Sequence, residues 1–389
     1  MENNEEVTND KRYLVENEPI IFSSRKEDLE LLLSKMVEFG ASGLFVMGNQ
    51  PVWMSVNGRK VKVTEKTLSN EECEAILNTS YKSNSASSMV NSRTPLDYAY
   101  QYRDRLGTAH RFRVNAISAT RNNSSSMTIT FRLIQSIPPT IEELGIPEDI
   151  VKACRENDKG IIYVAGATGQ GKSTTLAAIM RHILSQEDAN INMVDVGAPI
   201  EYALDSIDWP NSFVTPIEVG RDIESFDRAV VNCMRMEPQI IQISESRDME
   251  TISASLDASK SGHAVYTTVH SGSVAETLRR VVNMFPFDGR SMIQLDVVES
   301  TKMIIAQKLL KTVDGKRTAV REYLNFDQNV REILWDTDNI AKAAAETVAK
   351  FGYPMSKDIQ RVFDEGLISE KEYNKQMKEY EMEMSVIRR

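Results

Sequence analysis

Cysteine is scarce in this chain, and its pattern excludes two classes of protein. The 389 residues contain three cysteines, Cys73, Cys154 and Cys233, which lie far apart and are odd in number. A disulfide framework needs paired cysteines, and a structural zinc site needs ligands at short, regular spacings. The sequence shows neither pattern, and this is typical of a protein from a reducing compartment.

Long apolar runs and a basic excess are also missing. No apolar stretch approaches the roughly 18 residues of a membrane-spanning helix, and the start, "MENNEEVTNDKR", lacks the basic and apolar parts of a secretory signal. We therefore expect a cytosolic protein that associates with a membrane only through partners. The net charge of −10, with no basic stripe, argues against direct binding of nucleic acid.

A glycine-rich loop stands between a predicted strand and a predicted helix. "GATGQGKSTT" follows the apolar run "KGIIYVAG" and precedes "LAAIMRHIL", which has helical spacing. The loop matches G-x-x-x-x-G-K-[ST], in which backbone N–H groups surround a phosphate, the lysine reaches the outer phosphates and the hydroxyl holds Mg²⁺. The alternative is a turn that binds nothing. The candidate nucleotide-binding residues are Gly166, Ala167, Thr168, Gly169, Gln170, Gly171, Lys172, Ser173 and Thr174.

Two predicted strands near the N-terminus carry arginines on one face. "HRFRVNAIS" places Phe112 and Val114 on the face opposite its arginines, and "MTITFRLI" alternates in the same way. Two interpretations stay open, a solvated face of an antiparallel sheet or a set of charges directed at a phosphate. The arginines are Arg111, Arg113 and Arg132.

The order of predicted elements divides the chain into five regions. An amphipathic helix with a possible capping box at Ser24 and Glu27, followed by a hairpin at Asn57-Gly58, indicates an α+β domain near the N-terminus. Strands and helices then alternate, which is typical of a mostly parallel sheet covered by helices. The predicted regions are a flexible tail at 1–22, the α+β domain at 23–134, a linker at 135–147, the α/β domain at 148–337 and a helical region at 338–389.

Two further side chains are candidates for the chemistry of the loop. "PQIIQISESRD" predicts a buried strand that ends near Glu245, where a carboxylate could hold Mg²⁺ or orient water. His270 follows the strand-like run "AVYTTV" and could sense a phosphate. The alternatives are a charged surface loop for Glu245 and an ordinary core or surface position for His270.

These segments together resemble a known family. The phosphate loop, "PIEY", "ISESRD", "GHAVYTTVHSGSVAETLRR" and "QKLLKTVDGKR" occur in the order found in the PilT-type secretion and pilus ATPases. Within that family the chain is most similar to the DotB and TraJ ATPases of type IVB secretion and conjugation systems, over roughly residues 25 to 375. The resemblance implies a PAS-like α+β domain, a RecA-like P-loop ATPase domain of α/β fold, and a hexamer that binds ATP and Mg²⁺ between these domains.

The resemblance also implies roles for single residues. Lys172 and Ser173 correspond to the residues that hold phosphate and Mg²⁺, Glu245 to the catalytic and metal-binding glutamate, and His270 to the histidine box. The arginines of the N-terminal strands correspond to phosphate-neutralising positions, and Arg235 and Arg280 to further arginines of the ATPase domain. The implied partners are the other ATPase and inner-membrane components of the apparatus, which would recruit the protein from the bacterial cytoplasm to the inner membrane.

The sequence departs from the family at four positions. Gly197 occupies the place of a water-polarising glutamate, while Ile217, Val231 and Ser244 replace two arginines and a glycine. Asp195 and Glu201 are the carboxylates that could substitute, and of these we count Glu201 as a candidate catalytic residue. If Gly197 lies in open extended backbone, a glutamate placed there should accelerate hydrolysis, whereas a left-handed backbone would be strained by it.

Three functions therefore compete. The favoured one is an oligomeric ATPase that powers transfer or assembly in a type IVB secretion or conjugation system. A nucleotide-binding ring subunit with slow or no hydrolysis is the alternative that Gly197 supports, and a pilus-retraction motor differs in its partner only. A helicase is disfavoured because basic and aromatic residues do not alternate along the chain.

Overall fold

A computed structural model describes residues 26–56, 58–104, 106–121, 123–134, 137–335 and 337–387. The chain divides into two compact units between Ser136 and Ile137, and each is described by itself. The predicted tail at 1–22, the capping residue Ser24 and Asn57 of the predicted hairpin turn lie outside the described residues.

In the residues that the structure describes, the first unit is an antiparallel sheet with three helices. Its six strands run in the order β3-β2-β1-β6-β5-β4. The elements are α1 (Lys26–Glu38), β1 (Gly43–Met47), β2 (Trp53–Val56), β3 (Arg59–Lys62), α2 (Asn70–Tyr81), α3 (Ala86–Asn91), β4 (Leu96–Arg103), β5 (Ala109–Arg121) and β6 (Ser124–Ile134). The unit is thus α+β, as predicted, while its PAS-like character stays a prediction.

Where the structure describes them, the local signals of the first unit are confirmed. Helix α1 buries the predicted stripe of Leu29, Leu32, Leu33 and Met36, and Phe112, Val114 and Ala116 of β5 are buried on one face of the sheet. Strands β2 and β3 form the expected hairpin around Gly58, which has φ +79. Helix α2 begins with a capping box between Ser69 and Glu72.

The second unit is a mostly parallel sheet between helices. Its seven strands run in the order β13-β12-β7-β11-β10-β8-β9. Every neighbouring pair is parallel except β12 and β13. The elements to residue 300 are α4 (Glu148–Arg155), β7 (Gly160–Ala165), α5 (Lys172–Leu184), β8 (Asn192–Gly197), β9 (Phe213–Glu218), α6 (Phe226–Cys233), β10 (Ile240–Ile243), α7 (Met249–Lys260), β11 (Ala264–Val269), α8 (Val274–Asn283) and α9 (Arg290–Ser300).

The remaining elements complete the sheet and add a helical region. They are β12 (Thr301–Lys311), β13 (Arg317–Asn325), α10 (Gln328–Trp335), α11 (Ile340–Phe351), α12 (Met355–Asp364) and α13 (Glu370–Ile387). Met355, Ile359 and Val362 pack with Leu310 and Val320 of the sheet, so the C-terminal helices share a core with it. Within the described ranges, no helix combines the length and apolar character that crossing a membrane requires.

Both faces of this sheet are buried, as its apolar strands predict. Ile161 and Tyr163 of β7 pack into the core on one face, and Ile162 and Val164 pack into the core on the other. Because parallel strands end at the same edge, the segments that follow β7, β10 and β11 meet there. Strand β11 lies between β7 and β10, and this order positions the site.

Candidate functional site

The phosphate loop connects β7 to α5 in a conformation that needs glycine. Gly166, Gly169 and Gly171 have φ values of +157, +77 and +75. A Cβ at position 166 would lie 2.6 Å from the carbonyl oxygen of Gln307, so the loop packs tightly against β12. Helix α5 begins at Lys172, and its N-cap residue Gly171 has no side chain to accept a hydrogen bond. The first N–H groups of α5 are therefore free to bind an anion.

Lys172 is held against this loop. Its side chain is buried, and Nζ donates hydrogen bonds to the carbonyl oxygens of Gly166 at 2.8 Å and Ala167 at 3.1 Å. Burial lowers the pKa of the Lys172 amine, while the carboxylates of Glu245 and Glu201 oppose this shift. The ammonium group is therefore fixed beside the backbone that would hold phosphate, and two carboxylates lie within its electrostatic range.

His270 connects Lys172 to Glu245. Its Nδ1 lies 3.4 Å from Lys172 Nζ, and its Nε2 lies 3.2 Å from Glu245 Oε1. Burial and the positive charge of Lys172 lower the pKa of His270 below its usual 6.5, although Glu245 opposes them. The ring is therefore neutral at pH 7. Since the ammonium group can only donate, Nδ1 accepts and the proton sits on Nε2, which donates to Glu245.

The two substitute carboxylates differ in their positions. Asp195 is buried within the sheet, where its Oδ1 accepts a hydrogen bond of 2.8 Å from Gln242 Nε2. Glu201 precedes Tyr202, whose hydroxyl donates to Thr174 Oγ1 at 3.0 Å, and its charge acts on Lys172. Of these two carboxylates, Glu201 is the one that the structure brings to the phosphate loop.

The backbone at Gly197 matches neither of the two predicted alternatives, an open extended backbone or a left-handed one. It ends β8 in extended backbone, yet a Cβ there would lie 2.8 Å from the backbone nitrogen and Cα of Ile200. The condition for accepting a glutamate, an open extended backbone, is therefore not met, because the chain folds back over this position. The effect of Gly197→Glu on hydrolysis stays a prediction. The clash is steric and does not depend on a left-handed φ.

The three N-terminal arginines occupy different environments. Arg113 of β5 makes a bidentate ion pair with Asp97, from Nε to Oδ1 at 3.1 Å and from Nη2 to Oδ2 at 2.5 Å. Arg132 is exposed and lies opposite Arg113 in the register of β5 and β6, whereas Arg111 is only 7% exposed. The three side chains thus differ in exposure, and both alternatives, a solvated sheet face and a role in phosphate binding, stay open for them.

The two arginines of the ATPase region also differ. The positive charge of Arg280 acts on His270 and helps to lower its pKa. Arg235 is exposed, and its Nη1 donates to the carbonyl oxygen of Val231 at 3.5 Å. Only Arg280 is thus placed near the phosphate loop by these contacts.

The residues beside the phosphate loop fit a Mg²⁺ ion that is coordinated mainly by bound phosphates and water, with few protein groups. Among the described residues there is no group of three or more histidines, cysteines or carboxylates that could hold a metal ion. Ser173 lies in the first turn of α5, and the Glu245 side chain is 31% exposed beside His270. Mg²⁺ prefers octahedral oxygen coordination completed by phosphates and water, so one hydroxyl and one carboxylate suffice.

Beside the loop lies a cavity of about 480 Å³ that no sequence motif predicts. Gly171, Thr174, Thr175 and Leu309 are among the residues that line it. Two buried polar residues, Gln307 and Arg321, also line it: Gln307 donates to the carbonyl oxygen of Gln170 in the loop, and Arg321 donates to Gln307. In the sequence, the feature that points to Gln307 is a polar amide in the otherwise apolar segment "MIIAQ".

A P-loop ATPase of RecA-like fold is the class that this sheet order and loop define. Residues 23–380 match the family described as Type II/IV secretion system protein, and the chain belongs to this family. The ATPase DotB of Legionella pneumophila superposes with a TM-score of 0.88 at 34% identity, covering 94% of this chain and 99% of that one. DotB of Yersinia pseudotuberculosis gives a TM-score of 0.74 at 27% identity, covering 93% and 95%.

Pilus ATPases are similar as well. The type IV pilus ATPase PilU of Pseudomonas aeruginosa is 34% identical over 76% of this chain and 74% of its own length. The type IV pilus retraction ATPase PilT of the same organism is 30% identical over 88% of this chain and 96% of its own. The resemblance to PilT-type ATPases close to DotB is thereby confirmed.

Proposed function

We propose that this protein is an ATPase that works as an oligomeric motor subunit of a type IVB secretion or conjugation apparatus. The observation that supports ATP hydrolysis is that His270 contacts both Lys172 of the phosphate loop and Glu245. The similarity to DotB, which extends over 94% of the chain, supports the choice of apparatus.

Each residue of the site has a proposed role. The N–H groups of the loop and the Lys172 ammonium bind the phosphates, and Ser173 and Glu245 hold Mg²⁺, which neutralises charge on the phosphate oxygens when bound. Glu245 and Glu201 orient and polarise the attacking water. His270 keeps the Glu245 carboxylate in place through its Nε2 proton and reports the position of Lys172 through Nδ1.

A steady-state phosphate-release assay tests this function. Lys172→Ala should abolish turnover and weaken ATP binding, because it removes the ammonium held beside the loop. Lys316→Ala is the matched control, since Lys316 is an exposed lysine whose Nζ lies 3.3 Å from Asp314 Oδ2. Equal ATP affinity and turnover in the wild type and Lys172→Ala would contradict the assignment of the site.

A hexameric state is proposed from the family. Light scattering of the full chain at micromolar concentration, with ATP and Mg²⁺, should show an assembly of about six copies that depends on nucleotide. Monomers under these conditions would contradict the ring. The proposed partners, other ATPase and inner-membrane components, are tested by recruitment of the protein to membranes that contain the rest of the apparatus.

Two other functions have support of their own. The glycine at position 197 favours a nucleotide-binding ring subunit with little hydrolysis, and such a subunit would bind ATP without releasing phosphate. The identity to PilT favours a pilus-retraction motor. Deleting the gene distinguishes this motor from the secretion role, because loss of substrate transfer with normal pilus dynamics supports secretion and the reverse supports retraction.

A further inference from the structure

Gln307 lies beneath the phosphate loop and bonds to it from within the core. It belongs to β12 and is 3% exposed. Its Nε2 donates to the carbonyl oxygen of Gln170 at 2.7 Å, and its Oε1 accepts from Thr175 Oγ1 at 2.8 Å. The side chain of Gln170 is fixed in turn, because its Oε1 accepts from the backbone nitrogen of Leu309 at 2.6 Å. The same strand therefore holds both the loop and the first turns of α5.

Arg321 continues this network away from the loop. It belongs to β13, is 1% exposed, and donates from Nε to Gln307 Oε1 at 2.9 Å. Its other guanidinium nitrogens donate to the carbonyl oxygens of Gly145 at 2.9 Å and Leu144 at 3.1 Å. Burial lowers the pKa of Arg321 to about 10, so the group is still charged at neutral pH.

The carbonyl oxygens of Leu144 and Gly145 end a short structured turn. Thr140 and Glu143 bond to each other's backbone nitrogens, at 2.7 Å and 3.2 Å, and Ile146 N donates to Ile141 O at 2.9 Å. This turn, residues 140–146, comes soon after the boundary between the two units of the chain. A displacement of the turn would therefore act on Arg321, because two of its guanidinium nitrogens donate to the carbonyl oxygens of this turn.

We propose that Gln307 and Arg321 are positioning residues that couple the turn at 140–146 to the phosphate loop. Each acts through the backbone of the loop, and neither is assigned a contact with the nucleotide. Buried hydrogen bonds to charged groups are costly to break singly, so the turn, Arg321, Gln307 and Gln170 should shift together. The catalytic consequence rests on the proposed ATPase function, whereas the coupling is a property of the protein without nucleotide.

Amide hydrogen exchange of the full chain without nucleotide tests the coupling directly. Gln307→Glu keeps the acceptor for Arg321 but removes the donor to Gln170. The rate of amide exchange at residues 167–171 should therefore rise about fivefold or more. Arg321→Lys, which loses the guanidinium fork, should raise exchange both at 140–146 and at 167–171. Gln376→Met is the matched control, because Gln376 is a buried glutamine whose Nε2 bonds to Glu372 on the same helix.

Two results would overturn the proposal. One is wild-type protection of the loop in Gln307→Glu, and the other is an effect of Arg321→Lys that is confined to 140–146. If Arg321→Lys does not fold, Gln307→Glu and Gln307→Met decide the question alone, since exchange at 167–171 must rise in both.

Turnover then separates this proposal from the proposed function. Gln307→Glu should lower kcat/KM for ATP by about tenfold with a melting temperature close to that of the wild type, because a displaced loop misplaces Lys172 and Ser173. A wild type that neither binds nor hydrolyses ATP would refute the proposed function, while the exchange result would still decide the coupling. An unchanged kcat/KM in a variant with a loosened loop would refute the positioning role.

Discussion

Tyr202 donates a hydrogen bond to Thr174, and this contact fixes the chain that follows β8 onto the first turn of α5. The distance from the phenolic oxygen to Thr174 Oγ1 is 3.0 Å. Glu201 is the preceding residue, and its charge acts on Lys172. The carboxylate therefore lies in the electrostatic field of the phosphate loop, although the sequence does not match the family at Gly197.

Glu201 should contribute to hydrolysis, and Asp195 should not. Replacing a carboxylate that orients water costs about 10² to 10⁴ in rate, so Glu201→Gln should lower kcat within that range while ATP affinity changes little. Asp195→Asn should change stability rather than kcat, because its side chain faces Gln242 inside the sheet. Phosphate release and urea unfolding measure the two effects. A large loss of kcat in Asp195→Asn alone would reverse the assignment.

Turnover should fall at acidic pH as His270 gains a proton. Protonation turns Nδ1 from an acceptor into a donor that faces the Lys172 ammonium, so the contact becomes repulsive. Because the pKa of His270 is lowered, the loss should occur below 6.5 and not at neutral pH. His270→Gln should lower kcat and remove this acidic limb, and an acidic limb that is unchanged in His270→Gln belongs to another group.

The lowered pKa of His270 also predicts how the free energy of unfolding depends on pH. Between the lowered pKa of folded His270 and the ordinary 6.5 of the unfolded chain, the unfolded state binds more protons. The contribution of His270 to the free energy of unfolding is therefore complete above pH 6.5 and is lost as the pH falls through the folded value. His270→Gln should flatten the acidic side of a plot of melting temperature against pH.

Periodicity and motifs predicted the parts of the site that are local in sequence. The loop from Gly166 to Thr174 and the strand leading to Glu245 are such parts. Gln307 and Arg321 were missed because their partners lie far along the chain, and a strand pattern does not show which buried amide has a partner. The obstruction at Gly197 depends on the path of Ile200, which no local pattern specifies.

Arg113 should affect nucleotide binding more than folding. Its pair with Asp97 leaves the two side chains 40% and 38% exposed, and such surface pairs contribute about 0–1 kcal/mol. Arg113→Ala should therefore leave the circular dichroism unchanged while it lowers ATP affinity. Asp97→Ala breaks the same ion pair but keeps the arginine, so it should not lower affinity. If both variants bind ATP as the wild type does, Arg113 belongs only to a solvated sheet.

Glu322 should make the second unit less stable as the pH rises. Burial raises its pKa to about 7, and its carboxylate oxygens accept from the backbone nitrogens of Val274 and Met355 at the starts of α8 and α12. Since the folded state holds the proton more tightly, stability is complete below pH 4.5 and declines as the pH passes through 7. Glu322→Gln should reduce this slope by up to about one proton. An unchanged slope in urea titrations at several pH values would show that another group is responsible.

Gly197 should resist replacement by any residue with a Cβ. Because that atom would lie 2.8 Å from the backbone of Ile200, Gly197→Ala should lower the free energy of unfolding by about 1–3 kcal/mol, and Gly197→Glu at least as much without a faster turnover. Gly289→Ala is the matched control, since a Cβ there meets nothing within 4 Å and the change should stay within about 0.5 kcal/mol. The rate of the wild type should be low for its family, while tight ATP binding is retained. Faster hydrolysis by a stable Gly197→Glu protein would show that the missing carboxylate limits the rate and that Ile200 moves aside. Rapid wild-type turnover that is lost in Glu245→Gln but kept in Glu201→Gln would show that Glu245 acts without a second carboxylate.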